Sequence, residues 1–253
     1  MTLSVTSDTR RAQARSEIQI YARTVGLLLL VSLSALVIDA FYLSPQLVVW
    51  RDAAATAANI KSLDFVFRLS FVVHLVQVIS DTALSLAFYV VLKAVNRDLA
   101  LLGAFFGLLS AAAHAAAQIF YFPVPHVLLN DADYLKTLTP EQLNTLSLAS
   151  LKVCEYANGA FKALWGIAWI LRGYLMLRSG YIPWIWGAFL IALGVVCVAW
   201  TLLLVLAPTY SVGIIGPAVL AGAALTGVWF LIRGVNVRKW EASAESEVKP
   251  ISP

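Results

Sequence analysis

The sequence predicts an all-α fold: a polytopic membrane helix bundle of six transmembrane helices. Both termini are expected in the cytoplasm, with long outer loops after spans one and three. Three observations predict this. Hydrophobic residues make up 60% of the 253 residues and charged ones only 13%, well below the roughly 25% charged share of soluble domains. Six apolar stretches each approach the ~20 residues that cross hydrocarbon at a rise of 1.5 Å per residue. The basic residues also collect on every second connection, as cytoplasmic loops do.

The expected spans lie at about 23–43, 68–92, 99–122, 146–171, 183–206 and 212–232. They form one membrane domain, 23–232, between a cytoplasmic arm, 1–22, and a polar tail, 233–253, expected to be disordered. The first span is too long for the apolar region of a signal peptide, so it is expected to persist as an anchor.

Orientation follows from counting Lys and Arg. Arg10, Arg11, Arg15 and Arg23 stand on the arm, Lys93 and Arg97 on the second connection, and Arg172 and Arg178 on the fourth. With Arg233, Arg238, Lys239 and Lys249 on the tail, twelve of the 18 basic residues fall on one side. The other side holds Arg51, Lys61, Arg68 and Lys136, diluted by Asp52, Asp64, Asp131, Asp133 and Glu141. That asymmetry predicts N-in, C-in. It also accounts for the net charge of +4, which is therefore no nucleic-acid footprint.

The first outer connection contains Asp52-Ala-Ala-Ala-Thr56-Ala-Ala-Asn59-Ile60, an alanine-rich helical segment that Asp52 can cap. The second opens with Pro123 and Pro125, which stop the third span. It closes on Thr139-Pro140-Glu141-Gln142, a capping box with proline at the first helical position. A helix running unbroken from Pro140 to Leu177 would extend about 57 Å, so its first turns stand outside the membrane. Leu143, Leu146 and Leu151 are expected to pack there against the first outer loop as a lid. Tyr42, Trp50, Tyr121, Tyr174, Tyr181, Trp184 and Tyr210 fall near the expected interfaces. Small residues four apart, Ala218 with Gly222 and Ala223 with Gly227, invite close helix approach in the last span. Tyr89-Val-Val-Leu92-Lys93 with Gly103-Ala-Phe105 is weakly repeated by Tyr174-Leu-Met-Leu177-Arg178 with Gly187-Ala-Phe189.

Several of these segments also carry a family resemblance. The Asp52–Ile60 segment, Phe67-Arg68-Leu69 and Tyr89-Val-Val-Leu92-Lys93-Ala-Val-Asn96-Arg97-Asp98-Leu99 resemble a bacterial membrane-protein family. Gly173-Tyr174-Leu-Met-Leu-Arg178-Ser179-Gly180-Tyr181-Ile182-Pro183 does the same. The family is catalogued as domain of unknown function 4386, and the likeness extends over about residues 20–232. It implies a bacterial inner-membrane protein of about this span count and carries no established reaction. The family often has a histidine just after the glutamate of the fourth span; here Tyr156 follows Glu155.

Ionisable groups in hydrocarbon cost a few kcal/mol each and usually face partners or a cavity. Asp39, His74, Gln77, His114, Gln118, Lys152, Glu155 and Asn158 fall in the outer half of spans one to four, with Asp81 and Lys162 nearer the midplane. His74, Gln77 and Asp81 share one helix face, as do His114 with Gln118, and Glu155, Asn158 and Lys162. Converging stripes predict a polar pocket opening to the outer side. The alternative is mutual neutralisation, Asp81 with Lys162 and Lys152 with Glu155 or Asp39. Asp64 and Arg68 are a local surface pair. Cys154 and Cys197 lie inside apolar spans and read as packing residues.

The expected function is binding or handling a small lipophilic molecule, with membrane lipids as the other partner and no cofactor or nucleic acid. An intramembrane enzyme acting on a lipid or isoprenoid is the first alternative. Glu155 or Asp81 would then donate a proton, with Trp165, Trp169 or Trp200 facing a cationic intermediate, or His74, His114 and Glu155 would hold a metal. A transporter subunit with purely structural ion pairs is the second. No phosphate-binding glycine loop or nucleophile elbow is present in the sequence.

Overall fold

The computed structural model describes residues 2–130, 132–207 and 216–248, and every regular element among them is helical. In chain order these are α1 (Thr2–Ile38), a π-helical turn (Asp39–Leu43), α2 (Ser44–Leu47), α3 (Ala53–Ser62), α4 (Asp64–Leu92) and α5 (Arg97–Tyr121). There follow α6 (Pro123–Leu128), a 3-10 turn (Asp133–Leu135), α7 (Pro140–Ser179), α8 (Trp184–Leu206), α9 (Gly216–Arg233) and α10 (Val237–Val248). Of the sequence expectations, Asp131, Tyr210, residues 212–215 of the sixth span and residues 249–253 of the tail lie outside the described residues.

Five stretches are long and apolar enough to cross a membrane: Arg15–Leu47, Asp64–Leu92, Arg97–Leu128, Pro140–Ser179 and Trp184–Leu206. A sixth is reached when Leu220–Arg233 is taken with Val237–Glu245, two helices bent by 93° at a short break. Outward-facing side chains such as Ile79 and Leu206, 68% and 78% exposed, are the surface that hydrocarbon solvates and water does not. The chain is thus a helical multi-pass membrane protein.

Local chemistry explains the boundaries. Asn96 begins α5 by accepting from the Leu99 amide at 2.8 Å, and Asp52 begins α3 by accepting from Ala55 at 2.8 Å. The capping box of α7 is complete, with Gln142 N–H donating to Thr139 Oγ1 at 3.3 Å and Thr139 N–H to Gln142 Oε1 at 2.8 Å. At its other end Gly180 takes φ +65°, the left-handed value that lets the chain reverse at once. With 40 residues, α7 is about 60 Å long and far exceeds a hydrocarbon thickness of ~30 Å.

That uninterrupted helix corrects one expectation. Arg172 does not lie on a connection; it is a buried side chain inside α7, 3% exposed. Its Nη2 donates to Ser85 Oγ at 2.9 Å, and the guanidinium lies over Phe88 and Trp169. A Cβ at Gly107 would collide with both Arg172 and Ser85, so glycine leaves the room the guanidinium fills.

Helix backbones touch at two crossings, α7 with α8 and α1 with the last span. A Cβ on Gly166 would meet the Gly194 carbonyl at 2.6 Å, and one on Gly187 would meet the Gly173 carbonyl at 2.7 Å. Glycines seven apart on both helices thus let two backbones touch. In α9, Gly227 bears out the expected close approach: a Cβ on Gly26 of α1 would meet its carbonyl at 2.5 Å, whereas Gly222 faces only the Phe189 ring.

Two apolar cores stack along the bundle. One joins α1, α4, α7, α8 and α9 through Leu29, Leu84, Phe88, Trp169, Met176, Leu190 and Phe230. The other, at the opposite end, joins Leu47, Ala57, Ile60, Phe67, Tyr121 and Leu151. It seats α3 against α7, so Leu151 packs as expected. Leu146, by contrast, points away and is 46% exposed.

The tail also departs from expectation over residues 237–248, which form α10 instead of a disordered segment. Gly234, at φ +64°, turns the chain after α9. Asn236 N–H donates to the Tyr181 carbonyl at 3.2 Å, Trp240 Nε1 donates to the Val91 carbonyl at 3.1 Å, and Arg15 forks onto Glu241 at 2.8 and 3.0 Å. A polar composition hid these anchors because each is made to a residue far away in the chain. They place α10 beside the N-terminal part of α1, at the same end of the bundle.

Candidate functional site

The site begins with a proline. Pro45 has no N–H to give the carbonyl four residues back, and its ring crowds that carbonyl. Just before it, α1 widens into the π-helical turn Asp39–Leu43, closed by the Ser44 N–H on the Asp39 carbonyl. The widened turn aims the Asp39 carboxylate inward, where it is 7% exposed. Ser44 Oγ donates to it at 2.8 Å, Ser70 Oγ of α4 donates to the other oxygen, and His74 Nε2 lies 3.3 Å away. Tyr121 of α5 sits 2.6 Å from Ser70 Oγ. The serine proton is already committed to Asp39, so the tyrosine donates here.

This polar wall faces a cavity of about 460 Å³ at the end of the bundle away from Arg15. Val48 and Trp50 close it on the α3 side. From α7 come Leu151, Cys154, Glu155, Asn158 and Lys162, a single stripe at helical spacing.

Of the ten polar residues expected in such a pocket, Asp39, His74, Glu155, Asn158 and Lys162 line it. Lys152 stands at the rim, its ammonium 2.7 Å from Glu155 and 3.9 Å above the Trp50 ring. His114 is one layer behind, stacked on Phe161 at 4.4 Å and edge-on to His74 at 5.5 Å between ring centres. Gln118 and Gln77 are buried beside the cavity's elements without lining it, and both polar atoms of Gln118 are unpartnered.

Asp81 belongs elsewhere. Its Oδ1 accepts from Ser32 at 2.7 Å, on the side of α4 that faces α1, in the layer that also holds Ser85 and Arg172. The expected Asp81–Lys162 pair therefore does not form. Lys162 instead places its ammonium 3.9 Å above the Trp200 ring. Trp200 thus serves a lysine of the protein. Trp165 and Trp169 pack on each other at 4.9 Å, away from the cavity lining. The three-ligand set His74, His114 and Glu155 is likewise not assembled. Glu155 turns to Lys152, and among the described residues no three His, Cys, Asp or Glu side chains gather closely enough to hold a metal.

Sequence reasoning missed Ser44, Ser70 and Tyr121. Tyr121 was expected as an interface aromatic, yet it is 7% exposed and buried against Phe67. The one available signal was Pro45, six residues after an intramembrane aspartate. No curated protein and no solved structure matches the chain. The family model described as domain of unknown function (DUF4386) matches residues 24–234, most of the chain and all of the cavity's walls, and the chain belongs to that family.

Proposed function

We propose that this is a bacterial inner-membrane protein that binds or handles a small lipophilic molecule in the cavity between α1, α4, α5 and α7, which opens to the outer side. One observation carries the reading: a cavity of about 460 Å³ in which charged and polar groups face apolar walls. That volume falls within the ~300–1,000 Å³ of ordinary ligand pockets. Val48, Trp50 and Leu151 suit a hydrocarbon part, and the Asp39–His74 wall and Lys162 suit a polar head. The positive-inside distribution of Lys and Arg supports the orientation.

The test is a binding titration with a fluorescent amphiphile against the purified protein and an Ala40→Trp variant. Ala40 lines the cavity and is itself exposed, so a large ring there fills space without disturbing the core. Saturable binding lost in the variant supports the reading; equal binding by both proteins refutes it.

Acid–base chemistry on the bound molecule is a second reading, favoured by His74. Its Nε2 faces Asp39, and its Nδ1 is buried without a partner. A carboxylate that orients an imidazole with one free nitrogen is the arrangement of a general base. Turnover of an extracted lipid by the native protein but not by His74→Gln would favour it.

A further inference from the structure

The charges around the cavity are not equally compensated. Asp39 receives donors from Ser44, Ser70 and His74. Glu155 is neutralised by Lys152 at 2.7 Å. Lys162 is different. Among the described residues no carboxylate lies within 4.0 Å of its Nζ, and its close neighbour is the face of Trp200 at 3.9 Å. A ring face attracts an ammonium but accepts none of its N–H bonds as an anion would. Removing an ammonium from water without an anionic partner is costly, and such groups in membrane interiors face a partner or a pathway. Lys162 faces the cavity. One turn earlier, Asn158 lines the same wall with its Oδ1 buried and unpartnered, its amide nitrogen making only a 3.4 Å contact to Cys154 Sγ. That weak contact leaves the amide available to turn toward a ligand.

Building on the proposed binding function, we infer that the cavity selects an amphiphile with an anionic headgroup, whose charge is set against Lys162 and whose chain lies along Val48, Trp50 and Leu151. The cavity brings one cation with no carboxylate in direct contact among the described residues, and the ligand brings that contact. A cationic amphiphile would meet Lys162 as a like charge and find both carboxylates already engaged.

The experiment uses the full chain in nanodiscs of zwitterionic lipid, titrated calorimetrically with dodecanoate, dodecanol, dodecylamine and acetate. Dodecanoate is expected to bind at least about tenfold more tightly than dodecanol, the scale of one charge-assisted contact. Lys162→Gln should abolish that preference, bringing dodecanoate binding to the level of dodecanol in the same variant, and Lys162→Arg should keep it. Equal binding of dodecanoate and dodecanol by the native protein overturns the inference, as does a preference that survives in Lys162→Gln. A preference for dodecylamine overturns it too. Acetate binding as well as dodecanoate would keep the anion site but assign it to a free small anion, against the lipophilic reading. If none of the four binds, the cavity reading itself fails, and the inference falls with it.

Discussion

His74 Nε2 stands 3.3 Å from the Asp39 carboxylate, and this contact joins the widened end of α1 to α4. Two hydroxyls, Ser44 and Ser70, converge on the same carboxylate, and Tyr121 backs the second of them. Asp39→Ala would leave these donors facing a gap. We expect a loss of about 1–3 kcal/mol, the cost of buried polar groups without partners, read as a lower unfolding midpoint in detergent. An unchanged midpoint would mean that water replaces the carboxylate at no cost.

The contact of α7 with α8 predicts a contrast between two glycines. Gly187→Ala places a methyl 2.7 Å from a backbone carbonyl, which cannot rotate away. Gly222→Ala meets only the Phe189 ring, at 3.3 Å, which can. The first should destabilise by about 1–3 kcal/mol, as overpacking does, and the second by much less. Thermal unfolding of the two variants side by side decides the matter, and equal effects would argue against the close crossing.

Arg172 and Asp81 predict non-additivity. Arg172→Met removes a buried guanidinium that bonds Ser85 and shares a layer with Asp81, and buried groups left without a partner cost about 1–3 kcal/mol. Asp81→Asn made at the same time removes the charge left in that layer. The double variant should therefore unfold at a higher temperature than Arg172→Met alone. Strict additivity across the cycle would show that the two groups do not sense each other.

The docking of α10 predicts a protease phenotype. Arg238 and Lys239 lie on a helix held by Trp240 on the Val91 carbonyl and by Glu241 on Arg15. Trypsin should cut there slowly in the native protein. Glu241→Lys sets like charges together and should speed cleavage, and adding Arg15→Glu should slow it again. If all three are cut at the same rate, α10 is not anchored by this pair.

The site was partly legible before the structure. Glu155, Asn158 and Lys162 recur at helical spacing, and a helix must present such a stripe on one side, so their common wall followed from period alone. The same rule put His74 and Asp81 on one helix face, yet they serve different neighbours. His74 meets α1 where it has widened, and Asp81 meets Ser32 two turns earlier on the same helix. Spacing assigns the direction, and α1 lies along it for both residues, but it does not say which group waits at each depth. Arg172 was misplaced because its position near an expected span edge resembles a loop arginine; only the unbroken path of α7 to Ser179 buries it.

The sequence by itself determined the class, the approximate spans, the caps of α3 and α7, and the family. Each rests on local information: composition, periodicity and short-range side-chain to backbone bonds. Tertiary structure decided which polar groups meet. The Asp39 cluster, the Trp200 seat of Lys162 and the anchoring of α10 all join residues distant in the chain. Hydrocarbon accepts any rotation of an apolar helix almost equally, so only helix-to-helix packing chooses which polar stripes converge and which are kept apart.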